Sequence, residues 1–249
     1  MTNYDNEEDI DTSVNKVDYM VSTLRAVAGI IPWVGSMFSE VISNLIPNQR
    51  LDRIDRYLQI LGRKIKMMES EAIHDKFRDP EFVDLFEDSL HQAIRALSHE
   101  RLEYLASVIA NSLSDQQLEH IRYKHILLLL GEINDVQMLI LKYYSLYPPQ
   151  QEEFWKQHED ALTTPSVVMS SPQNEMDRRA IQISYKEHLV RIGLLAQTFK
   201  KPKKGELPEF DEKTGMVKAK GYQITSLGRL LLRTVSTEIE ENTDNSSVS

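Results

Sequence analysis

The chain of 249 residues holds seven histidines and no cysteine. That excludes a thiolate nucleophile, a disulfide and a thiolate zinc site together. A helical zinc site would want two histidines four residues apart and a third ligand nearby. The nearest pattern is His99-Glu100-Arg101-Leu102-Glu103, with glutamate where the second histidine should stand, followed by His120 and His125 in the next helix. This spacing reads as an exposed polar helix face. Gly62, Gly131 and Gly193 are isolated, so no glycine-rich loop is available to cradle phosphate. No serine sits in a nucleophile-elbow pattern. The expectation is a non-enzymatic protein with no catalytic residue, no cofactor and no metal.

Binding is better represented than catalysis. The whole chain carries 29 basic and 38 acidic residues, a net charge of −9, which argues against nucleic-acid binding by overall charge. One region runs the other way. Between 178 and 205, Arg178, Arg179, Lys186, Arg191, Lys200, Lys201, Lys203 and Lys204 face a single carboxylate, Glu187. Such a patch could neutralise several phosphates, making Arg178, Arg179, Lys186, Lys200, Lys201, Lys203 and Lys204 candidate nucleic-acid contacts.

A second candidate surface lies at 26–46, the stretch richest in apolar and small residues. Trp33, Val34, Met37, Phe38, Val41 and Leu45 form its apolar side, and Glu40 lies among small polar residues opposite. Helical throughout, it would be about 31 Å long, close to bilayer thickness. Glu40, Pro32, the glycines and the serines nevertheless bring the insertion balance near zero. The segment is therefore expected to contact a partner or a membrane surface, not to form a lone transmembrane helix. It leads into Leu51, Ile54, Leu58, Leu61, Ile65 and Met68, spaced alternately three and four apart. That narrow stripe suits a facing helix, and is expected to be an oligomer seam.

The elements that must position these residues are mostly helices. The acidic residues 1–13 form a tail, without the basic and then apolar start of a secretion signal. Asp79-Pro80 is a cap followed by proline at the first helical position. Ser98 caps the next helix. Ser114 with Gln117, and Asn134 with Gln137, match the capping box. The run Ile126–Leu130 is apolar all round and should occupy the middle of a bundle. Pro148-Pro149 stops a helix, and a short one is expected around 152–162. A longer helix over about 172–191 ends at Gly193. Strands follow over 194–199 and 216–225, joined by a charged turn, and Thr225 or Ser226 caps a last helix. Residues 241–249 form a second polar tail.

Two resemblances organise this order. Leu189, Gly193, Leu194 and Leu195, then Tyr222, Ile224, Thr225, Leu227, Gly228, Arg229, Leu231 and Leu232, in the order helix, strand, charged turn, strand, helix, resemble a winged helix over 134–240. The resemblance implies either nucleic-acid binding, with the wing on phosphates, or protein docking. The segments RLEYLASVIANSL and INDVQMLILK resemble bacterial proteins of the abortive-infection alpha type, over roughly 24–145. That resemblance implies a phage-defence effector or accessory protein with no enzymatic motif.

The expected fold is mainly α: a helical bundle and assembly module over 14–131, then a winged-helix-like α+β domain. The expected function is a non-enzymatic defence protein acting through oligomerisation and membrane contact. Its partners would be a second copy or an operon-encoded protein. The alternative is a winged-helix nucleic-acid-binding regulator dimerised by its N-terminal helices. The expected location is the cytoplasm, extending to the periphery of the inner membrane.

Overall fold

Local signals for helix starts and stops are reproduced closely in the computed structural model of the protein, which describes residues 48–68, 76, 79–114, 120–205, 207–211 and 215–236. The tails, the 26–46 segment with Trp33, Val34, Met37, Phe38, Glu40, Val41 and Leu45, and Gln117 lie outside the described residues. So does the Leu51 side chain. Among the described residues the protein is mainly helical, with nine helices and one two-stranded antiparallel sheet. None of these helices is long and apolar enough to cross a membrane. The chain divides into two compact units, Met1–Leu127 with Thr234–Ser249, and Leu128–Arg233.

The first unit is built on α1 (Asn48–Lys66), α2 (Pro80–Arg95) and α3 (His99–Ser114), each packed on the other two. Asp79 caps α2 by accepting from the Glu81 backbone N–H, with Pro80 at the first position. Ser98 Oγ accepts from the Arg101 N–H at the start of α3. The core centres on Tyr57, Phe82 and Phe86, whose rings lie 6.4–6.5 Å apart, with Leu61, Leu85, Leu105 and Ile109 around them. Tyr57 is wholly buried, and its hydroxyl meets Ser89 Oγ at 2.6 Å, which satisfies both groups.

Two expectations change here. Ile54, Leu58, Leu61 and Ile65 are buried inside this unit, at 5% exposure or less. The stripe on α1 therefore finds its facing helices in α2 and α3, within the same chain, and is not left open as a seam for a second copy. Met68 is half-buried at its end, with Ser114 Oγ near its sulfur. Ser114 lies within α3, and the capping box expected for it with Gln117 falls outside the described residues. The most enclosed helix is α3, which buries ten of its sixteen residues, including Ser107 and Ser112. The apolar run in α4 (His120–Glu132) is not surrounded: Leu128 is 55% exposed and Ile121 84%. The Arg53 guanidinium donates to the Ile94 carbonyl at 3.0 Å, closing the carbonyl end of α2.

A stability prediction follows. Leu61→Asp places a carboxylate where no water reaches, and is expected to destabilise the first unit by about 3–5 kcal/mol. Arg53→Ala should cost about 1–2 kcal/mol through the lost charged hydrogen bond, whereas Arg56→Ala, on the exposed face, should change little. Urea unfolding followed by far-ultraviolet circular dichroism measures all three. Equal, small effects for Leu61 and Arg56 would contradict the packing.

The second unit contains the end of α4, then α5 (Asp135–Ser145), α6 (Pro148–Gln157), α7 (Glu159–Leu162), α8 (Gln173–Arg191), β1 (Leu195–Phe199), β2 (Ala219–Ile224) and most of α9 (Ser226–Val235). Asn134 and Gln137 form the expected reciprocal capping box on α5. The double proline opens α6 as well as following α5, since Pro148 and Pro149 occupy first-turn positions where a missing N–H has no helical partner to lose. Gly193 ends α8 with φ +77°. Its N–H bonds the Val190 carbonyl and the Leu194 N–H bonds the Leu189 carbonyl, a complete Schellman motif between two fully buried leucines. The sheet starts at once, pairing Leu195 with Ile224 and ending with a bulge between Thr198 and Phe199. An isolated bridge between Phe210 and Val217 lengthens the hairpin.

Candidate functional site

The basic cluster at 178–204 divides into two groups with different roles. On α8, Arg178 donates to the Asp160 carbonyl at 2.6 Å and Arg179 to the Pro165 carbonyl at 2.8 Å. Gln182, on the same helix, donates to the Ala161 carbonyl at 2.9 Å, and Lys186 donates to Thr164 Oγ1 at 3.1 Å. These four side chains strap the 160–165 segment to α8. Arg179 and Lys186 are half-buried in doing so. Arg178, Arg179 and Lys186 thus act inside the unit, and the structure does not gather them with the lysines beyond β1.

The hairpin lysines form the second group. Lys200 pairs with Glu209 at 2.9 Å, and that hydrogen bond with its charge holds the carboxyl below the usual glutamate range. Lys201, Lys203 and Lys204 are exposed and meet no carboxylate among the described residues; Lys218 and Lys220 are exposed on the returning strand. Between them stand apolar side chains that the fold leaves open: Leu207 is 85% exposed, Met216 68% and Phe210 54%, with Phe199 and Val217 partly so. Lysines at 200–204 and 218–220 thus flank the uncovered apolar groups, which stand in sequence beside Glu206, Glu209, Asp211 and Glu212. The sequence revealed the lysines; the apolar residues read only as an ordinary strand pattern.

A cleft of about 250 Å³ lies elsewhere in the unit. Its walls include Tyr143 and Tyr144 from α5, Trp155 from α6 and Leu162 from α7, and its polar lining is Thr163, Thr164 and Lys186. Tyr144 stands edge-on to Tyr143 at 5.2 Å and to Tyr222 of β2 at 5.9 Å. Burial, with these two phenols nearby, pushes its hydroxyl up to about 12. Burial also lowers the Lys186 ammonium from the usual lysine value. Thr163 Oγ1 is buried and has no hydrogen-bond partner among the described residues. Sequence reasoning missed this cleft. The available signal was aromatic density, Tyr143-Tyr144 and then Phe154-Trp155, ahead of Thr163-Thr164.

A second, wider depression of about 380 Å³ is bordered by Gln137, Tyr185, His188 and Arg191. Its buried amide is already committed. Gln137 Oε1 accepts from the Asn134 N–H, so its nitrogen donates to the Tyr185 carbonyl and to His188 Nδ1 at 2.7 Å. The neutral imidazole then carries its proton on Nε2.

The histidine patterns of the first unit have structural partners. Glu103 lies 3.4 Å from Lys64 of α1 and 3.5 Å from His99. His120 contacts Asp84 at 3.2 Å, and Lys124 bridges Asp84 and Asp88. Hydrogen bonding to Lys124 is the main reason that Asp84 titrates below the usual aspartate value. Among the described residues no group of three or more such side chains is arranged to hold a metal ion. Neither protein-family models, nor curated proteins, nor solved structures offer a match to this chain.

Proposed function

We propose that the protein is a non-enzymatic bacterial defence factor, abortive-infection-like in its helical part, that acts at an anionic membrane surface through the β1–β2 hairpin of a winged-helix-like second unit. The observation that carries the membrane reading is the exposure of Leu207, Phe210 and Met216 between the exposed lysines Lys201, Lys203, Lys204, Lys218 and Lys220, with Glu209 of the same hairpin offset by Lys200. Lysines are drawn to the negative charge of phospholipid headgroups, and apolar side chains gain by leaving water among the acyl chains. The element order α5, α6–α7, α8, β1, β2, α9 supports the winged-helix-like description. The defence role rests on the resemblance over 24–145. Self-association, or capture of an operon-encoded partner, would use a surface other than the buried face of α1.

Nucleic acid is the competing occupant of the same hairpin. It is less well served, because Arg178, Arg179 and Lys186 are tied to the 160–165 segment and the exposed face of α8 adds Glu175, Asp177 and Glu187. Aliphatic Leu207 and Met216 also have nothing to offer a phosphate backbone. Co-sedimentation with phosphatidylglycerol vesicles, beside phosphatidylcholine vesicles and fluorescent duplex DNA, tests the proposal. Binding confined to the anionic vesicles is expected. Failure on those vesicles with salt-sensitive DNA binding would replace the membrane by nucleic acid.

The 26–46 segment supplies a second membrane prediction. Each large apolar side chain buried contributes about 1.5–3 kcal/mol, so Trp33→Ala with Phe38→Ala should abolish vesicle leakage by the full-length protein. Glu40→Leu should raise partitioning by removing a charge that is costly to bury. If leakage persists unchanged in the double variant, this segment is not the part that perturbs the bilayer.

A further inference from the structure

The cleft beside α8 is separate from the hairpin surface, and its composition is selective. Lys186 lies at one side as the cleft's cation, half-buried, with a single hydrogen bond to Thr164 Oγ1 and no carboxylate within ion-pair distance among the described residues. Thr163 is also in the lining, but its Oγ1 is buried away from the cleft. A half-buried ammonium is unfavourable until an acceptor of opposite charge meets it. Around it Tyr143, Trp155 and Leu162 provide flat apolar walls. A few convergent polar groups within an aromatic enclosure make up the usual composition of a small-molecule site.

We propose that the Lys186 cleft binds a small aromatic carboxylate, with the carboxylate on Lys186 Nζ and the Thr164 hydroxyl and the ring between Tyr143 and Trp155. The size fits a single ring. A cavity of about 150 Å³ is enough for benzene, and about 250 Å³ leaves room for a short acid arm. The charge fits an anion and not a second cation, because the lining offers an ammonium and hydroxyls and no acid. A carboxylate has two acceptor oxygens, one for the ammonium and one for the Thr164 hydroxyl. An ammonium held out of water gains more from such a partner than a surface lysine does. Desolvation lowers the free Lys186 ammonium, and a bound carboxylate would bring it back toward the usual lysine range.

The test uses the full chain with 3-phenylpropionate as the probe, 3-phenylpropionamide as its neutral counterpart, and inorganic phosphate as an anion without a ring. Calorimetric titration at pH 7 should show saturable binding of the acid, with the amide about ten- to a hundredfold weaker. Phosphate should fail to compete. Lys186→Met keeps the length of the side chain and removes the charge; it should weaken the acid to the level of the amide while leaving amide affinity unchanged. Thr164→Val supplies an independent variant with a smaller loss for the acid. Thermal unfolding of each variant separates lost binding from lost folding, Lys186→Met giving up only its hydrogen bond to Thr164. Equal affinity for acid and amide, full competition by phosphate, no binding of the acid by the folded parent, or undiminished acid binding by Lys186→Met would each overturn the proposal. These outcomes are independent of vesicle binding by the hairpin.

Discussion

Alanine at position 228 should unfold the second unit at markedly lower urea than the parent, with a loss of about 2–4 kcal/mol. A methyl group there would overlap the Leu194 carbonyl oxygen, stand 2.8 Å from Ile224 Cγ1 and reach Leu141 Cδ1 at 3.2 Å. The obstacle is backbone, which cannot swing aside like the end of a long side chain. It is also backbone held in place from several directions. The Thr225 N–H donates to the Leu194 carbonyl at 3.1 Å, and the Gly228 N–H donates to Thr225 Oγ1 at 3.0 Å. The Thr225 hydroxyl lies 2.7 Å from the Gly193 carbonyl and 3.1 Å from that of Leu194, to either of which it can donate. One threonine thus caps α9 and holds it against the exit of α8. Moving α9 outward to admit a methyl would break these bonds and uncover Leu231, which is fully buried. Trp155 fluorescence in a Trp33→Phe background reads this unit selectively, because the chain has only those two tryptophans. Gly221→Ala is the matched control. Its new methyl would lie 3.6 Å from Thr198 Oγ1, an ordinary contact, so stability should stay level or rise slightly. Similar curves for the two alanine variants would refute the close approach at Gly228.

The features legible in the sequence are those whose physics is local. Asp79 before Pro80, Asn134 with Gln137, the glycine at 193 and the threonine at 225 each satisfy orphan backbone groups within a few residues, so their types and spacing are sufficient. The stripe from Ile54 to Ile65 was legible as a stripe. Its partner was not, because spacing says that a helix needs a facing surface without saying whose chain provides it. The same limit explains α3 and α4. Ser107, Ser112, Ala106 and Ala110 look like weak core residues, yet α3 is the enclosed helix, while the leucine run of α4 leaves Leu128 in water.

Charge was the least legible property of the site. Eight cations against one carboxylate suggested a single phosphate-binding patch. In the fold, Arg178 and Arg179 reach carbonyls 18 and 14 residues away, and Lys186 reaches a threonine 22 residues away. A count along the chain cannot separate a guanidinium spent on a loop from one left for a ligand. The aromatic cleft was hidden for the related reason that Tyr144 and Tyr222 meet only through the packing of α5 on β2.

The hairpin offers the sharpest separation of the two occupants considered for it. Lys201→Gln, Lys203→Gln and Lys204→Gln together should reduce binding to phosphatidylglycerol vesicles by about a hundredfold, at roughly 1 kcal/mol per lysine near an anionic surface. Lys200→Gln alone should do less than any one of the three, since Glu209 already offsets its charge. Raising salt should weaken the parent's binding without abolishing it, because screening acts on the charges and leaves the apolar contribution in place. Leu207→Ser with Met216→Ser removes that remaining part, and each side chain that enters the bilayer contributes up to about 2 kcal/mol. The two serines should therefore lower vesicle affinity by at least tenfold and make what remains fully salt-sensitive. Duplex DNA responds differently to the same proteins. The lysine variant would lose affinity and salt slope, since fewer counterions are released, whereas the serine pair would bind as the parent does. A serine pair that leaves vesicle binding unchanged would show that the exposed apolar residues do not enter the membrane. A lysine variant that loses DNA binding alone would assign the hairpin to nucleic acid.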